Sequence, residues 1–371
     1  MHPQIRALRA VPGHPDLPTC RPFHRDEALA AGVTPHQLAR LVRTGELVKL
    51  FAKVYATSLP RTRADRALAL HLAVPDGAIV TKASAAWLYG IDLAPLSRWH
   101  RTTSGLGPID HTRLLEGGSR SGGHLTNDDV QVVDGCRVTT ALRTACDLGR
   151  SSSRAMGLAA IDGLLRLGEF TQDDLLRQAD RFRGAVYVAQ LRELVAAADI
   201  RAASVQESGL RSHWLGAGLP TPELHVPVAA DGHLPFTLGL ADPVSRYGVV
   251  LDSARWRATP EHVELDDARR AAVTTLGWTI DVFADDEVSG WGDPTARLKD
   301  GYRLARTPRR DRTSAWCDET YLRYPPRSEV YESYDEYDEG VAPPRVERLR
   351  YGRSSGAPRY CAECGQQLSD G

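Results

Sequence analysis

The run Gly32-Val33-Thr34-Pro35-His36-Gln37-Leu38 fixes where one helix ends and the next begins. Gly32 supplies the left-handed residue that stops a short helix read from Phe23 to Ala31. Thr34 then offers an N-cap hydroxyl, Pro35 stands where a missing N–H costs nothing, and Gln37 is placed to close a capping box. Val33 and Leu38 can clasp as a hydrophobic staple. Downstream, Leu38, Leu41 and Val42 share one helical face, leaving His36, Gln37, Arg40, Arg43 and Thr44 on the other. Two short helices across a tight turn, the second with a polar and basic outer face, form a helix-turn-helix pattern whose second helix fits the DNA major groove.

A wing follows. Gly45-Glu46 turns the chain, and Leu47 to Leu50 and Val54 to Ala56 read as strands joined by Phe51-Ala52-Lys53. From Arg21 to Arg66 the basic residues are Arg21, Arg25, Arg40, Arg43, Lys49, Lys53, Arg61, Arg63 and Arg66, against Asp26, Glu27, Glu46 and Asp65. The whole chain carries a net charge of -1, so only this local excess argues for a polyanionic partner. In this reading His36, Gln37, Arg40 and Arg43 face bases or nearby phosphates of double-stranded DNA, while Arg25, Lys49 and Lys53 hold the backbone. The alternative is a solvated helical hairpin used for protein contacts.

At 371 residues, 42% hydrophobic and 25% charged, the chain is long enough for two to three folded domains. It has no run of 18 apolar residues and no secretory leader pattern, and its six cysteines are scattered. The expectation is a cytoplasmic protein with reduced thiols and no membrane partner. Apolar spacing from Ala67 to Leu72, the pair Ile79-Val80 and the run Lys82 to Tyr89 predict helix, strand and helix. Val130 to Val133 before Asp134-Gly135 predicts a hairpin strand, Thr140 caps a helix through Leu148, and Phe170-Thr171 with Leu175 repeats the staple pattern.

Several of these pieces, in this order, resemble AbiEi-type antitoxins. They are Arg25 to Thr34, the wing ending Val54-Tyr55-Ala56, Lys82-Ala83-Ser84-Ala85-Ala86-Trp87-Leu88-Tyr89-Gly90, and Val138 to Leu148, and the likeness spans roughly residues 20 to 200. The family pattern has glycine where Lys53 stands. The resemblance implies a winged-helix repressor of its own operon that works beside a nucleotidyltransferase-like toxin.

Residues 204 to 287 resemble the small endonuclease-fold domain of very-short-patch-repair type, a PD-(D/E)XK fold. The pieces are a helix with Glu207, strands Phe236 to Ala241 and Tyr247 to Asp252, a helix near Asp266 to Leu276 and a strand Trp278 to Phe283. Catalysis there needs carboxylates converging on Mg²⁺. Against the family pattern, Gly239 holds the aspartate position and Val250 the glutamate position, so the resemblance implies a fold that has lost its cation site. The enzyme alternative is a Mg²⁺-dependent DNA endonuclease in phage or plasmid defence, built on Glu207, Asp242 and Asp252. Ser204 and Glu207 also have capping-box spacing, which would make Glu207 a helix-start residue.

The expected fold class is therefore α/β and multidomain. It has an arm (1–20), a winged helix-turn-helix (21–60), a helical and small-sheet middle region (61–200), a degenerate restriction-endonuclease-like α/β domain (201–290) and a charged, partly disordered tail (291–371). The tail carries arginine blocks around an acidic stretch from Glu329 to Glu339, read as a solvated linker. It ends near Cys361-Ala362-Glu363-Cys364, half of a tetrahedral zinc site that needs Cys317 with another cysteine, or a second chain, to complete it. No cofactor is required otherwise.

Overall fold

The computed structural model describes residues 17, 20–96, 109–112, 125–150, 153–228, 236–252, 270–271, 273–288, 292–307, 359–360 and 367–368. The N-terminal arm, Cys317, the acidic block and the Cys361–Cys364 pair lie outside them, apart from Leu17 and Cys20 of the arm. The chain divides into two compact units, residues 1–302 and 303–371.

The first unit opens with β1 (Phe23–His24), α1 (Arg25–Ala30), α2 (Pro35–Arg43), β2 (Val48–Phe51) and β3 (Val54–Ala56). The helix expected from Phe23 begins two residues later. Phe23 and His24 pair with Tyr55 and Val54 of the wing, and His24 becomes the N-cap of α1. Phe23 prefers this place because its ring goes fully buried, stacking on Tyr55 in a core with Ala28, Val33, Leu38, Leu41 and Leu47. The α2 start is as expected: Thr34 Oγ1 accepts from Gln37 N at 3.2 Å, and Gln37 Oε1 accepts from Thr34 N at 2.8 Å.

Helix α3 (Arg63–Ala73) packs against the three-stranded wing sheet, order β1-β3-β2, and joins it to the middle region. There β4 (Ile79–Val80), β5 (His111–Thr112), β6 (Val130–Val133) and β7 (Cys136–Thr139) form a sheet of order β5-β4-β7-β6, with β4 and β7 parallel. The β6–β7 turn carries Asp134 and Gly135 at φ 47° and 80°, which a two-residue hairpin loop demands. Helix α4 (Lys82–Leu88) follows β4, and α5 (Ala141–Gly149), α6 (Arg154–Leu165), α7 (Gln172–Ala179) and α8 (Val188–Ala197) form a bundle. Gly157 lets α6 approach α5: a Cβ there would lie 3.1 Å from Leu148 O and 2.8 Å from Leu194 Cδ1.

Helix α9 (Val205–Gly216) packs along α6 and leads into β8 (Glu223–Val228), β9 (Phe236–Asp242), β10 (Tyr247–Asp252) and β11 (Thr279–Ala284). The sheet order is β11-β10-β9-β8, antiparallel except for the β10–β11 pair. Strand β8 was not foreseen: Leu224, Val226 and Val228 alternate with Glu223 and His225, but Pro227 argues against a strand, and its place at the sheet edge is what lets it hold a proline. Nor was α10 (Thr295–Arg306), which occupies the start of the segment read as tail. Gly301 of α10 makes room for Tyr247 and Asp281 of the sheet: a Cβ there would sit 2.8 Å from the Tyr247 hydroxyl. In the second unit the described residues form a hairpin of β12 (Arg359–Tyr360) and β13 (Gln367–Leu368).

Candidate nucleic-acid interface

Helix α2 buries Leu38 and Leu41 and turns His36, Arg40 and Arg43 to solvent. Gln37 is half-buried, its carbonyl held by the capping box. Arg25 and Lys49 are half-exposed and Lys53 is exposed at the wing turn, its carbonyl accepting Arg25 N at 2.7 Å. The start of α1 and the tip of the wing are thereby tied together.

Of the four acids in this window, Glu27 is paired with a cation, and Glu46 and Asp65 accept from threonine hydroxyls. Glu27 accepts from Arg21 at 2.6 Å and from His24 N, and the Arg21 hydrogen bond, against some burial, holds its carboxyl below the usual range. Asp26 lies 3.3 Å from His24, Glu46 accepts from Thr44 Oγ1 at 2.8 Å and Asp65 from Thr62 Oγ1 at 2.7 Å. By contrast, Arg25, Arg40, Arg43, Lys49 and Lys53 form no ion pair among the described residues. The outcome is a surface of un-neutralised cations on rigid elements, which is what a phosphate-lined partner requires.

Lys53 has φ 63°, the conformation that favours glycine, so the wing turn keeps its geometry and carries the strain of a side chain. Lys53→Gly is expected to leave stability equal or raise it by up to about 1 kcal/mol, since the strain it removes exceeds the added freedom of the unfolded chain. Urea unfolding checks this; a loss of stability above about 1 kcal/mol would show that the Lys53 side chain is itself a structural contact.

Two carboxylates of the nuclease reading, Glu207 and Asp242, have local neighbours. The Glu207 amide donates to Ser204 Oγ at 3.0 Å, but the reciprocal half of the expected capping box is missing. Its buried carboxylate lies instead 2.9 Å from His225 Nε2 of β8, a neighbour a helix-start acid finds only once β8 is in place. Asp242 ends β9 and closes the turn into β10, accepting from Val244 N at 3.1 Å and Ser245 Oγ at 2.7 Å. Asp252 ends β10 opposite Ala284. No group of three or more His, Cys, Asp or Glu side chains suited to a metal ion occurs among the described residues. Gly239 stands where its Cβ would meet only Val249 O at 3.5 Å.

Three buried charge clusters carry the frame, and none was foreseen. Asp129, 2% exposed, accepts from Arg143 at 3.0 Å and from both Arg181 amino groups at 2.7 and 2.9 Å, while Arg143 and Arg150 lie over the Phe182 ring. Asp162 of α6 accepts from Arg211 at 2.5 Å and Ser208 at 2.7 Å, both on α9, and from Asp199 N at 2.8 Å. Asp281 of β11 accepts from the Tyr247 hydroxyl at 2.8 Å, with Arg297 of α10 at 3.5 Å. Burial pushes the Asp162 and Asp281 carboxyls upward, against the pull of Arg211 and of Tyr247 with Arg297. The only local hint in the sequence is the i,i+4 pair Arg143–Asp147.

Burial also pushes Asp129 up, but the hydrogen bonds from Arg181 and Thr126 N and the charges of Arg143 and Arg181 outweigh it, leaving its carboxyl lowered. A lowered folded-state value means that ionised Asp129 adds stability above the ordinary carboxylate range and that this is lost as pH falls through the folded value. Asp129→Asn is expected to lower the melting temperature at neutral pH and to flatten its acid limb below about pH 4. An unchanged acid limb in a pH series of thermal melts would refute the assignment.

The AbiEi antitoxin C-terminal domain family matches residues 78–197, from β4 through α8, and the winged module precedes that match. Two uncharacterized Mycobacterium tuberculosis proteins, Rv2248 of strain H37Rv and MT2308 of strain CDC 1551, are each 30% identical to the chain over 262 residues, covering 69% of it and 92% of their own length. No solved structure matches. No helix among the described residues is long and apolar enough to cross a membrane.

Proposed function

The chain belongs to the family of the uncharacterized Mycobacterium tuberculosis protein Rv2248 and carries an AbiEi antitoxin C-terminal domain, and from that premise we propose that it is the DNA-binding antitoxin of a toxin–antitoxin pair. The antitoxin-type domain supports a role of that general kind. The finer reading is a winged-helix repressor that sits on its own promoter and neutralises a nucleotidyltransferase-like toxin. One observation carries it: among the described residues the cations of α2 and the wing form no ion pair, while Glu27 of α1 is taken up by Arg21.

In this reading α2 enters the major groove with His36 and Arg40 toward base edges, Gln37 contributing its free amide hydrogens. Arg43 and Arg25 lie toward one phosphate strand, and Lys49 and Lys53 reach the backbone beside the groove. The residues after 200 serve this role as a support of endonuclease-like topology. The likeness to an endonuclease fold rests on the sequence, with Gly239 and Val250 at the acidic positions; the described elements run α9, β8, β9, β10 and β11.

The direct test is a gel shift of the protein's own promoter fragment, with unlabelled promoter and unrelated competitor DNA. Specific retention supports the reading, and equal competition by both DNAs refutes sequence-specific repression. The same preparation with Mg²⁺ or Mn²⁺ and plasmid is expected to leave the DNA uncut. Cleavage that disappears in Asp252→Ala would replace this function with that of a nuclease.

A further inference from the structure

We propose that Arg66 of α3 is a further phosphate contact, carrying the DNA-binding surface from the wing turn onto the seam with the antitoxin-type domain; the inference deepens the DNA-binding reading and rests on it. Phe51, the last residue of β2, lies just before Lys53 of the wing turn and meets Trp87 of α4 edge-on, with ring centroids 5.6 Å apart. The Arg66 guanidinium lies over that same Trp87 ring, 5.8 Å from its centroid. A short chain of side-chain contacts therefore leads from the wing to Arg66. Gly90, at φ 97°, leaves room for it, since a Cβ there would stand 3.2 Å from Arg66 Nη1. The face of Trp87 attracts a cation and so fixes where the guanidinium sits.

What Arg66 lacks is a counter-charge. Among the described residues it forms no ion pair and no hydrogen bond. It is half-buried, with its Nε closed off from water and unpartnered, while its terminal nitrogens reach solvent. Burial pulls its guanidinium below the usual arginine range, and no hydrogen bond or neighbouring charge offsets that pull. Arg63, one turn earlier on α3, shows the contrast: it lies over the Tyr89 ring at 5.2 Å and has Glu169 at 3.8 Å. Arginine keeps its charge at any ordinary pH, so a half-buried Arg66 without a partner weakens the free protein. An anionic partner relieves that weakness. DNA presents one phosphate charge per about 1.7 Å of its axis, so a duplex held by α2 and Lys53 brings phosphates past the wing. A partly desolvated guanidinium attracts them more strongly than a fully hydrated one.

Fluorescence anisotropy of promoter and unrelated fragments with the full-length protein, between about 50 and 200 mM salt, tests the assignment. Arg66→Gln is expected to bind both DNAs about tenfold more weakly at the lower salt, to flatten the log–log salt dependence by about one and to keep the parent's preference for promoter. Arg66→Lys, which keeps the charge, should keep the parent's salt dependence. Without DNA, Arg66→Gln should melt at or above the parent's temperature, because it removes an unpaired, half-buried charge. An arginine kept for structure would instead lower that temperature. A salt dependence unchanged in Arg66→Gln, one lost equally in Arg66→Lys, or a lower melting temperature in Arg66→Gln would each overturn the proposal. A parent that holds no DNA refutes the DNA-binding reading itself, whereas a parent that binds beside an Arg66→Gln variant of equal salt dependence refutes the role of Arg66 alone.

Discussion

Replacing Arg40 and Arg43 together with alanine is expected to weaken promoter binding by about 30-fold to 10⁴-fold, at two contacts of about 1–3 kcal/mol each. Both side chains are exposed in the last turn of α2 and neither has an ion-pair partner among the described residues, so the fold has no need of them. Circular dichroism and the melting temperature should stay within about 1 kcal/mol of the parent. The plot of log affinity against log salt should flatten by about one, for the one phosphate that Arg43 no longer neutralises. The two residues separate further as single variants. Arg40→Ala should reduce the preference for promoter over unrelated DNA, because a base contact carries sequence information. Arg43→Ala should weaken both DNAs alike, because a phosphate contact does not. An unchanged shift in the double variant would move the nucleic-acid surface away from α2, and equal weakening on all DNAs in both singles would leave a non-specific binder.

The local features of the winged module were legible because they are written within a few residues of one another. Thr34, Pro35 and Gln37 act on adjacent backbone groups, so their spacing alone determines the start of α2. The same holds for the Asp134-Gly135 hairpin and for the Thr140 and Thr171 caps. The missed features depend on distant segments. Phe23 left the expected helix because Tyr55, far along the chain, offered it a ring and a strand edge. Glu207 had the spacing of a capping box, yet its carboxylate lies beside His225 Nε2 of β8, a neighbour that only the tertiary fold supplies. Helix α10 lies in sequence that is mostly polar and charged, and its role emerges only from Gly301 fitting against Tyr247 and Asp281. The candidate DNA surface was therefore readable as a list of cations. That Glu27 is taken up by Arg21 and Glu46 by the Thr44 hydroxyl was not, since these are side-chain choices.

Asp162→Ala is expected to lower global stability by about 3–5 kcal/mol, the cost of leaving a buried Arg211 without its counter-charge. Asp162 is fully buried and Arg211 is 3% exposed, so water cannot take over the role of either. The pair bridges α6, inside the antitoxin-type domain, and α9, the first helix beyond it, and Arg211 also donates to Ala197 O at the end of α8. Removing Asp162 thus loosens the joint between the matched domain and the sheet that follows. It also strands Ser208 Oγ and the Asp199 amide, each worth about 1 kcal/mol or more as an unsatisfied buried donor. A purely electrostatic joint would be recovered by removing both charges at once. Asp162→Leu with Arg211→Met is therefore expected to be more stable than either single change, with Ser208→Ala recovering a further part. Urea unfolding of the four combinations measures the coupling directly. Additive effects, with no recovery in the double variant, would mean that α6 and α9 are held by their apolar contacts alone and that this buried pair contributes nothing to the joint.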